Sequence, residues 1–577
     1  MRFSLMLLVP MLALLLAPDY TSAHGFADKR YFPATFAVDD PFVSDEAGIL
    51  VGSRKTPNGD GTSTNTTTDI GLNYAKTFIP RFAVSLGMDD LHLAPDGVPR
   101  ANGFATSVVG GKHLAYINEA SEALPSVGAN LELGGTGTVR AGTNSGSTLS
   151  PFAPVSAVAT PDTQNDRQLK GQFTHITQWH PAFTSPYSGA NSLSGANDSN
   201  ETTDLTLIAG LRLSSSSEIW ANPEIDQGFG LNNTLGVAGF PSGEALKVGA
   251  NAPYLRLPRL FYRNVTNLGG AEQTIAPGPN QMGGTRTADN VILTLGKFSA
   301  VDVFDTNTYA HDPRADFMNW SIVESGAYDY AADAWGYSYG ASLEWTQSWW
   351  TARGGLFALS KIPNGKVLDP EFKQREWVGE LEERHQLGGR PGKLKVLAYV
   401  NQGLMGSYVE AVQLAQQTNG TPDTGLVRRG SSSAGGALNF EQEVSPTLGT
   451  FARASMNNGS KEVFEFTEIN QSVAAGLSAH GDNWGRRDDT FGLAGVANGL
   501  SGAARRYFAA GGIGVLIGDG KLPHYGLENI VETYYSYALS TADRLVLTLD
   551  YQHINNPAYN RDRGPVSIFG VRLHAEF

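Results

Sequence analysis

The last nine residues of the chain alternate without a break between two kinds of side chain. Apolar residues occupy every second position from Phe569 to the C-terminal Phe577, and Arg572, His574 and Glu576 share the opposite face. Successive side chains of a strand point to opposite faces. A transmembrane β-barrel turns its apolar face to lipid and its polar face to a wet lumen. This strand therefore predicts an outer-membrane barrel, and a terminal aromatic residue is typical of such strands.

The same alternation recurs along most of the chain from about residue 171 onward. Thr206, Lys395 and Asp550 are polar residues that stand between apolar ones in three further stretches. The apolar positions of these stretches are Leu205, Leu207, Leu211 and Leu213, then Leu394, Val396, Ala398 and Val400, then Leu545, Leu547, Leu549 and Tyr551. We predict an all-β fold, a transmembrane antiparallel β-barrel of about 16 strands with an extra N-terminal segment. A barrel of this size leaves an aqueous channel.

The connections between strands are predicted from turn-forming residues. The segment 540–543 is short, which is typical of the periplasmic end of a barrel. Two longer stretches, 267–290 and 416–436, are rich in Gly, Asn, Asp and Pro. Such stretches favour irregular structure, so we predict that both are long external loops.

Composition limits the chemistry that this chain can perform. It has no cysteine, which excludes thiol nucleophiles and thiolate metal sites. Its eleven histidines are scattered, and even His175 and His180 have opposite strand parity, so no metal site is predicted. The net charge of −14 argues against a nucleic-acid partner. Because a gradient drives diffusion through a channel, no cofactor is expected.

Three segments are predicted along the chain. Residues 1–23 have the charged start, apolar run and small-residue cleavage site of a secretory signal peptide. Residues 24–165 are an N-terminal extension with strand hairpins, one of them within 68–88, and a Gly/Ser-rich linker. Residues 166–577 are the barrel. An exported barrel is expected in the cell outer membrane.

Several motifs occur in order across the barrel segment. They are 177–183 (TQWHPAF), 220–224 (WANPE), 239–244 (GFPSGE), 296–299 (GKFS), 309–314 (YAHDPR), 317–321 (FMNWS) and 556–565 (NPAYNRDRGP). Together they resemble the carbohydrate-selective porin family of Gram-negative outer membranes over about 165–577. The resemblance implies a porin that passes sugars by passive diffusion and performs no enzymatic reaction.

The N-terminal part does not follow the pattern of that family. It has no Trp-Gly-Gly-x-Arg segment of the type that usually opens the mature porins. Instead, residues 24–42 and 132–137 resemble the start of a different outer-membrane barrel family. One interpretation is a fusion of part of one barrel gene to a porin.

A sugar channel needs two kinds of lining. Polar and charged side chains replace the hydrogen bonds of water to sugar hydroxyls, aromatic faces stack on the pyranose ring, and binding must stay weak enough for release. The residues that we predict to line the pore and contact the substrate are Glu224, Arg259, Arg263, Asp305, His311, Arg314, Trp335 and Glu468. The alternative for each charged residue is an ion pair across the lumen wall. The segment 302–314 is predicted to be a loop that folds inward, as a scaffold or as a constriction.

Other functions stay open at this stage. A general or anion-preferring diffusion pore is the first alternative, since rings of Arg and Lys would favour anions. An outer-membrane barrel enzyme is the second, although no hydrolase or phosphate-binding motif is present. A plugged, non-functional fusion is the third. The expected partners are small sugars and outer-membrane lipid, and the oligomeric state is undetermined.

Overall fold

The computed structural model describes residues 166–577 apart from 245–248, Thr467 and 541–543. Before residue 166 it describes only the backbone of several strands. Backbone contacts divide the chain into two units, an N-terminal one and the barrel, and each is described by itself.

The described backbone of the N-terminal unit contains eight strands. The first two form a two-stranded sheet, and the other six form a sheet in which the third, fourth, fifth, seventh and eighth strands are neighbours in that order and the sixth pairs with the fifth. They are β1 (Phe26–Ala27), β2 (Arg30–Tyr31), β3 (Glu46–Pro57), β4 (Thr64–Ile79), β5 (Phe82–Pro95), β6 (Ala101–Phe104), β7 (Val108–Leu114) and β8 (Ser126–Glu132). The hairpin within 68–88 is formed by β4 and β5, with Leu72 opposite Met88. The proposed signal peptide and linker lie outside the described residues, and the division at residue 165 stays a prediction.

Sixteen antiparallel strands close the barrel, as predicted from the alternation. They are β9 (Arg167–His180), β10 (Asp198–Ser214), β11 (Ser217–Gly228), β12 (Ala250–Ile275), β13 (Gly284–Phe298), β14 (Ser338–Gln347), β15 (Trp350–Ala358), β16 (Arg375–Leu387), β17 (Arg390–Met405), β18 (Arg429–Ser445), β19 (Leu448–Asn457), β20 (Gln471–His480), β21 (Thr490–Gly499), β22 (Glu528–Ser540), β23 (Leu545–Asn555) and β24 (Val566–Glu576). The last strand pairs with the first, and Trp179 stacks on Phe569 at this seam with ring centroids 5.6 Å apart. Closure of the barrel leaves no strand edge with unpaired backbone groups in the membrane, where no water is present to pair with them.

The strands present the two faces that their alternation predicts. In β17, Lys395 and Tyr399 are each 2% exposed and point into the lumen, while Val396 is 49% exposed on the outer face. Trp345 and Trp349 are also exposed, at the β14–β15 turn, where aromatic residues of a barrel meet the membrane interface. The outer face is therefore apolar and the lumen wall polar.

The connections differ sharply in length between the two ends of the barrel. At one end several are two-residue turns, at 215–216, 348–349, 388–389 and 446–447. At the other end all are long, namely 181–197, 229–249, 299–337, 359–374, 406–428, 458–470, 500–527 and 556–565. In bacterial barrels the short turns face the periplasm and the long loops face outward.

The prediction of an external loop at 267–290 is wrong. Most of this stretch is strand, since β12 runs to Ile275 and β13 begins at Gly284, and its connection lies at the short-turn end. Its residues are polar because this part of the hairpin extends beyond the apolar band of the barrel. The second predicted loop, 416–436, is at the long-loop end, but β18 already begins at Arg429.

The long loops fold back into the lumen and build an apolar core there. They carry α1 (Trp320–Val323), α2 (Tyr408–Thr418) and α3 (Gly502–Ala509), and the 3-10 turns Leu231–Thr234, Ala300–Asp302, Thr424–Val427 and Pro557–Tyr559; a further 3-10 turn, Gly481–Trp484, is at the other end. Ser407 and Ser501 cap α2 and α3 through their hydroxyls. Tyr408 and Tyr507 are buried between these helices with ring centroids 4.9 Å apart. Among the described residues, no helix is long and apolar enough to span a bilayer.

Candidate functional site

The longest connection at the outer end, residues 299–337 between β13 and β14, enters the lumen; we call it the inward loop. It carries α1 and the 3-10 turn Ala300–Asp302, in which Ser299 and Asp302 form a capping box. Phe304 and Phe317 are fully buried. Because a loop with exposed apolar side chains would otherwise be unstable in water, these residues hold the inward loop against the barrel wall.

Two buried arginines of the wall bind the carbonyl groups of the inward loop. Arg453 of β19 donates to the carbonyls of Ile322 at 2.8 Å and Ala310 at 2.7 Å. Arg572 of β24 donates to those of Pro313 at 2.6 Å and Asp316 at 2.9 Å. Charged donors make strong hydrogen bonds, so these two side chains fix the position of the loop.

Carboxylates of the wall bind the backbone N–H groups of the same loop. Glu380 of β16 accepts from the N–H of Asp305 at 2.8 Å. Glu532 of β22 accepts from the N–H of Asn319 at 3.1 Å and also from that of the preceding residue. Several acidic residues of the lumen therefore hold the loop in place and do not face the channel.

A cavity of about 180 Å³ lies between the inward loop and β12. It is lined by the aromatic rings of Phe240, Trp320, Tyr330, Trp335, Tyr337 and Phe466 and by the polar side chains of Glu244, Arg259, Asp302, His311, Asp312, Arg314 and Glu324. Aromatic faces and polar groups thus surround the same space.

Four of the eight residues predicted to line the pore meet at this cavity, namely Arg259, His311, Arg314 and Trp335. Glu224 lies directly behind them, fully buried, and forms ion pairs with Arg314 and with a neighbouring arginine of β12. Their contact with a sugar stays a prediction.

The other three predicted residues lie elsewhere. Asp305 is buried and accepts from the N–H of Ser325 at 2.6 Å, so it shapes the inward loop. Arg263 donates to the carbonyl of Asn280 at 3.4 Å, toward the periplasmic end. Glu468 is buried in the connection between β19 and β20. None of the three lines the cavity.

Sequence reasoning missed Arg256 of β12. Its guanidinium forms ion pairs with Glu224 and Asp226 and lies 5.1 Å from the ring centre of Tyr337. Strict alternation counted from Arg259 places Arg256 on the lipid face. The alternation slips at Pro258, which cannot donate a ladder hydrogen bond, so both arginines point inward. The available signal was the Leu-Arg-Leu pattern just before that proline.

Arg314 is the centre of the charge network beside the cavity. Its guanidinium lies 2.7 Å from a carboxylate oxygen of Glu244, 3.4 Å from Glu224 and 3.5 Å from Asp204. Burial raises the pKa of the Glu244 carboxyl well above its usual range, although Arg314 opposes this shift. Burial alone would lower the pKa of Arg314, but the carboxylates of Glu244, Asp204 and Glu224 raise it well above its usual value. Arg314 therefore keeps its positive charge.

Within the described residues, three buried polar atoms at the cavity have neither a hydrogen-bond partner nor an ion-pair partner. They are Nδ1 of His311, Nε1 of Trp320 and Oε2 of Glu324. Buried polar atoms in folded proteins are nearly always paired with protein or water. Their grouping around one space indicates a place for a polar molecule.

Burial sets the protonation of two of these groups. It raises the pKa of the Glu324 carboxyl well above its usual range and lowers the pKa of the His311 imidazole. Burial therefore favours the uncharged form of both side chains. A neutral carboxylic acid both donates and accepts hydrogen bonds, which suits a hydroxyl-bearing molecule.

Glu468 provides a prediction on stability. Its Oε1 accepts from the N–H of Val515 at 2.6 Å, and burial raises its pKa to about 7. A carboxyl whose folded-state pKa is raised stabilises the fold fully below its unfolded pKa, and this contribution is lost as pH rises through the folded pKa. Between pH 4.5 and pH 8 we expect the titration of Glu468 to lower the free energy of unfolding by about 3 kcal/mol.

Urea unfolding of the barrel in lipid vesicles at several pH values tests this expectation. The Glu468→Gln variant cannot titrate at this position, so it should lose less stability than the wild type over the same range. Glu371→Gln, at a residue exposed to solvent, is the matched control and should follow the wild type. Parallel pH profiles for Glu468→Gln and the wild type would contradict the prediction.

The closed sixteen-strand barrel, its apolar outer face and the inward loop in its lumen define an outer-membrane porin. Residues 190–577 match the model of the carbohydrate-selective porins, the OprB family, and the chain belongs to this family. It is therefore a channel of the outer membrane that passes carbohydrates by passive diffusion, and it is not an enzyme.

A solved structure of this family shows the same fold. The chain is similar to OprB of Pseudomonas putida with a TM-score of 0.54 and 14% identity, over 71% of this chain and 94% of that one. It is less similar to the channel DcaP of Acinetobacter baumannii, with a TM-score of 0.41 and 11% identity over 71% and 97% of the two chains. None of the curated proteins compared with the chain matches it.

Proposed function

We propose that the cavity beside the inward loop is the constriction of the channel and holds one neutral monosaccharide during its passage. The observation that carries this proposal is the set of three unpaired buried polar atoms on His311, Trp320 and Glu324. Sugar hydroxyls both donate and accept hydrogen bonds, so a hexose in the cavity offers partners that such atoms lack.

The aromatic side chains of the cavity support a ring-shaped substrate. Trp320 stacks on Phe240 with ring centroids 5.0 Å apart, and Phe466 lies 4.6 Å from the same indole. Trp335 and Tyr337 line the space as well. The rings of Phe240 and Phe466 pack on Trp320. The partly exposed ring of Trp335 is therefore the one that we expect to receive the C–H face of a pyranose.

The charges of the cavity favour a neutral substrate over an anion. Arg259 is paired with Asp302 at 2.7 Å, and Arg314 with Glu244 at 2.7 Å. Paired arginines produce a weak net field, whereas anion pores use rings of cations that lack such partners. This arrangement disfavours the anion-preferring alternative.

The volume of the cavity supports a small substrate. At about 180 Å³ it is close in size to a protein cavity of about 150 Å³ that binds one benzene molecule, which is room for one six-membered ring. Larger saccharides must pass by moving the surrounding side chains, so they are expected to cross more slowly.

Blocking of ion current by glucose in single channels tests the proposal. The Trp320→Phe variant keeps the aromatic ring and removes the Nε1 donor. A neutral hydrogen bond contributes about 1 kcal/mol, so the half-blocking glucose concentration should rise about fivefold.

The control is Trp349→Phe, which changes an exposed indole in the β14–β15 turn. This variant should be blocked by glucose as the wild type is. The same half-blocking concentration for Trp320→Phe and the wild type would show that the sugar does not use this donor.

A further inference from the structure

The β12–β13 hairpin extends past its neighbours at the periplasmic end. The N–H of Val265 donates to the carbonyl of Ser216, so this residue is level with the β10–β11 turn. On the other side of the hairpin, the pairing of β13 with β14 begins only at Asn290, which lies opposite Thr346. Among the described residues, the strands within 266–289 therefore pair only with each other and not with the neighbouring strands of the barrel. We call this segment the arm.

The arm does not continue straight into the periplasm. Ten residues of extended strand, 266–275, would carry its tip about 30 Å beyond the rim. Instead, the strand register shifts on both sides of Gly269. Gly269 and Gly270 have φ values of 117° and 85°. Such a conformation favours glycine, and bulges of this kind bend a strand.

The tip of the arm, residues 276–283, contacts the lumen wall. Gln168 of β9 donates to the carbonyl of Gly278 at 2.8 Å, and Arg212 of β10 donates to that of Gly283 at 2.5 Å. Arg263, which precedes the arm in β12, donates to the carbonyl of Asn280. Contacts with three different strands at the rim show that the arm doubles back over the mouth of the barrel.

An apolar side chain anchors the tip inside the lumen. Met282 is 4% exposed and belongs to the buried cluster that includes Ile208, Trp220 and Phe261. The N–H of Met282 also donates to Glu218 of β11 at 3.5 Å. Burying this side chain favours the folded-back position.

We propose that the arm is a second size filter of the channel, at its periplasmic exit and separate from the constriction. Its tip covers part of the mouth from β9 to β12, so a saccharide that has passed the constriction must also pass the tip. The arm therefore limits large saccharides more than small ones. This inference does not depend on which sugar the constriction binds.

Release of the tip gives the first test. The double variant Arg212→Ala, Met282→Ser removes one hydrogen bond and the apolar anchor. Liposome swelling is measured with a monosaccharide, a disaccharide and a trisaccharide. We expect the trisaccharide-to-monosaccharide rate ratio to rise about fivefold, since a wider exit relaxes the size limit. Arg167→Ala, at the exposed neighbour of Gln168, is the control and should keep the wild-type ratio.

Cross-linking gives the second test, which separates release of the tip from a general folding defect, because a poorly folded barrel would not recover the wild-type ratio when the tip is tied down. Because the chain has no cysteine, thiols placed by Gln168→Cys and Gly278→Cys are the only ones present. A Cβ at Gly278 meets nothing within 4 Å, so the substitution fits. A short bifunctional thiol reagent that is cleaved by reductant then ties the tip to β9.

Cross-linking the released channel should restore the wild-type size ratio, and reductant should raise it again. In the wild-type background the cross-link should leave the ratio unchanged, since the tip already lies there. Equal ratios for the released and cross-linked channels would overturn the second filter. Block by glucose, measured in the same channels, reports separately on the constriction, so the two proposals fail independently.

Discussion

Replacing Arg314 with methionine is expected to destabilise the barrel by about 3–5 kcal/mol, the range for removing one partner of a buried charge pair. The substitution leaves Glu244 and Asp204 without their cation, and Glu224 with only Arg256. Protonation of these carboxyls relieves part of the loss, so the effect should grow as pH rises. Glucose block should weaken as well, because the side chain lines the cavity.

The free energy of urea unfolding in lipid vesicles, at pH 5 and pH 8, measures this effect. The matched control is Arg487→Met, whose side chain is 84% exposed and pairs loosely with Asp482 at 3.6 Å. Exposed pairs contribute little, so the control should keep wild-type stability. An Arg314→Met variant as stable as the control at both pH values would show that the buried network is not needed.

Replacing both Arg453 and Arg572 with methionine is expected to free the inward loop. These side chains donate to loop carbonyls from two different strands, β19 and β24, at 2.7 and 2.8 Å from Arg453 and at 2.6 to 2.9 Å from Arg572. Without them the loop loses its charged anchors while its apolar residues remain. We expect the single-channel conductance to rise about threefold or more, because the narrowest part of the channel widens.

Planar-bilayer recordings of the double variant give the conductance, and glucose titration in the same recordings gives the block. The control is Arg390→Met, at a partly exposed arginine beside the β16–β17 turn that pairs with Glu443. This control should conduct as the wild type does. Wild-type conductance with intact glucose block in the double variant would contradict the role of the two arginines.

The barrel could be predicted from sequence because its signal is local. Alternation in β17 places Lys395 inside and Val396 outside without reference to any other strand. The strand number follows from length and is confirmed. An inward fold of the loop 302–314 could also be predicted, although not whether this loop serves as a scaffold or as a constriction.

Which lumen residues face the channel and which hold its loops could not be predicted in the same way. Glu380 and Glu468 are of a residue type that often lines pores, but they bind backbone N–H groups of distant segments. Arg256 was missed because alternation counted from Arg259 ignores the phase slip at Pro258, and its ion pairs with Glu224 and Asp226 appear only in the folded barrel. Each of these outcomes depends on contacts between residues that are far apart in sequence.

The arm shows where composition misleads. Glycine, asparagine and proline at 267–290 are typical of loops, yet most of this segment is strand because its two halves pair with each other. Beyond the membrane, strands need no apolar face, so their alternation disappears. Polar hairpins outside the apolar band therefore look like loops in sequence.

Swelling of liposomes that contain the purified protein tests the central claim most directly. The rates are compared for glucose and for an uncharged non-sugar of equal size, at equal osmolarity. A channel whose constriction recognises the ring and hydroxyls of a monosaccharide should swell faster in glucose. Equal rates for the two solutes would contradict this account and leave a general diffusion pore.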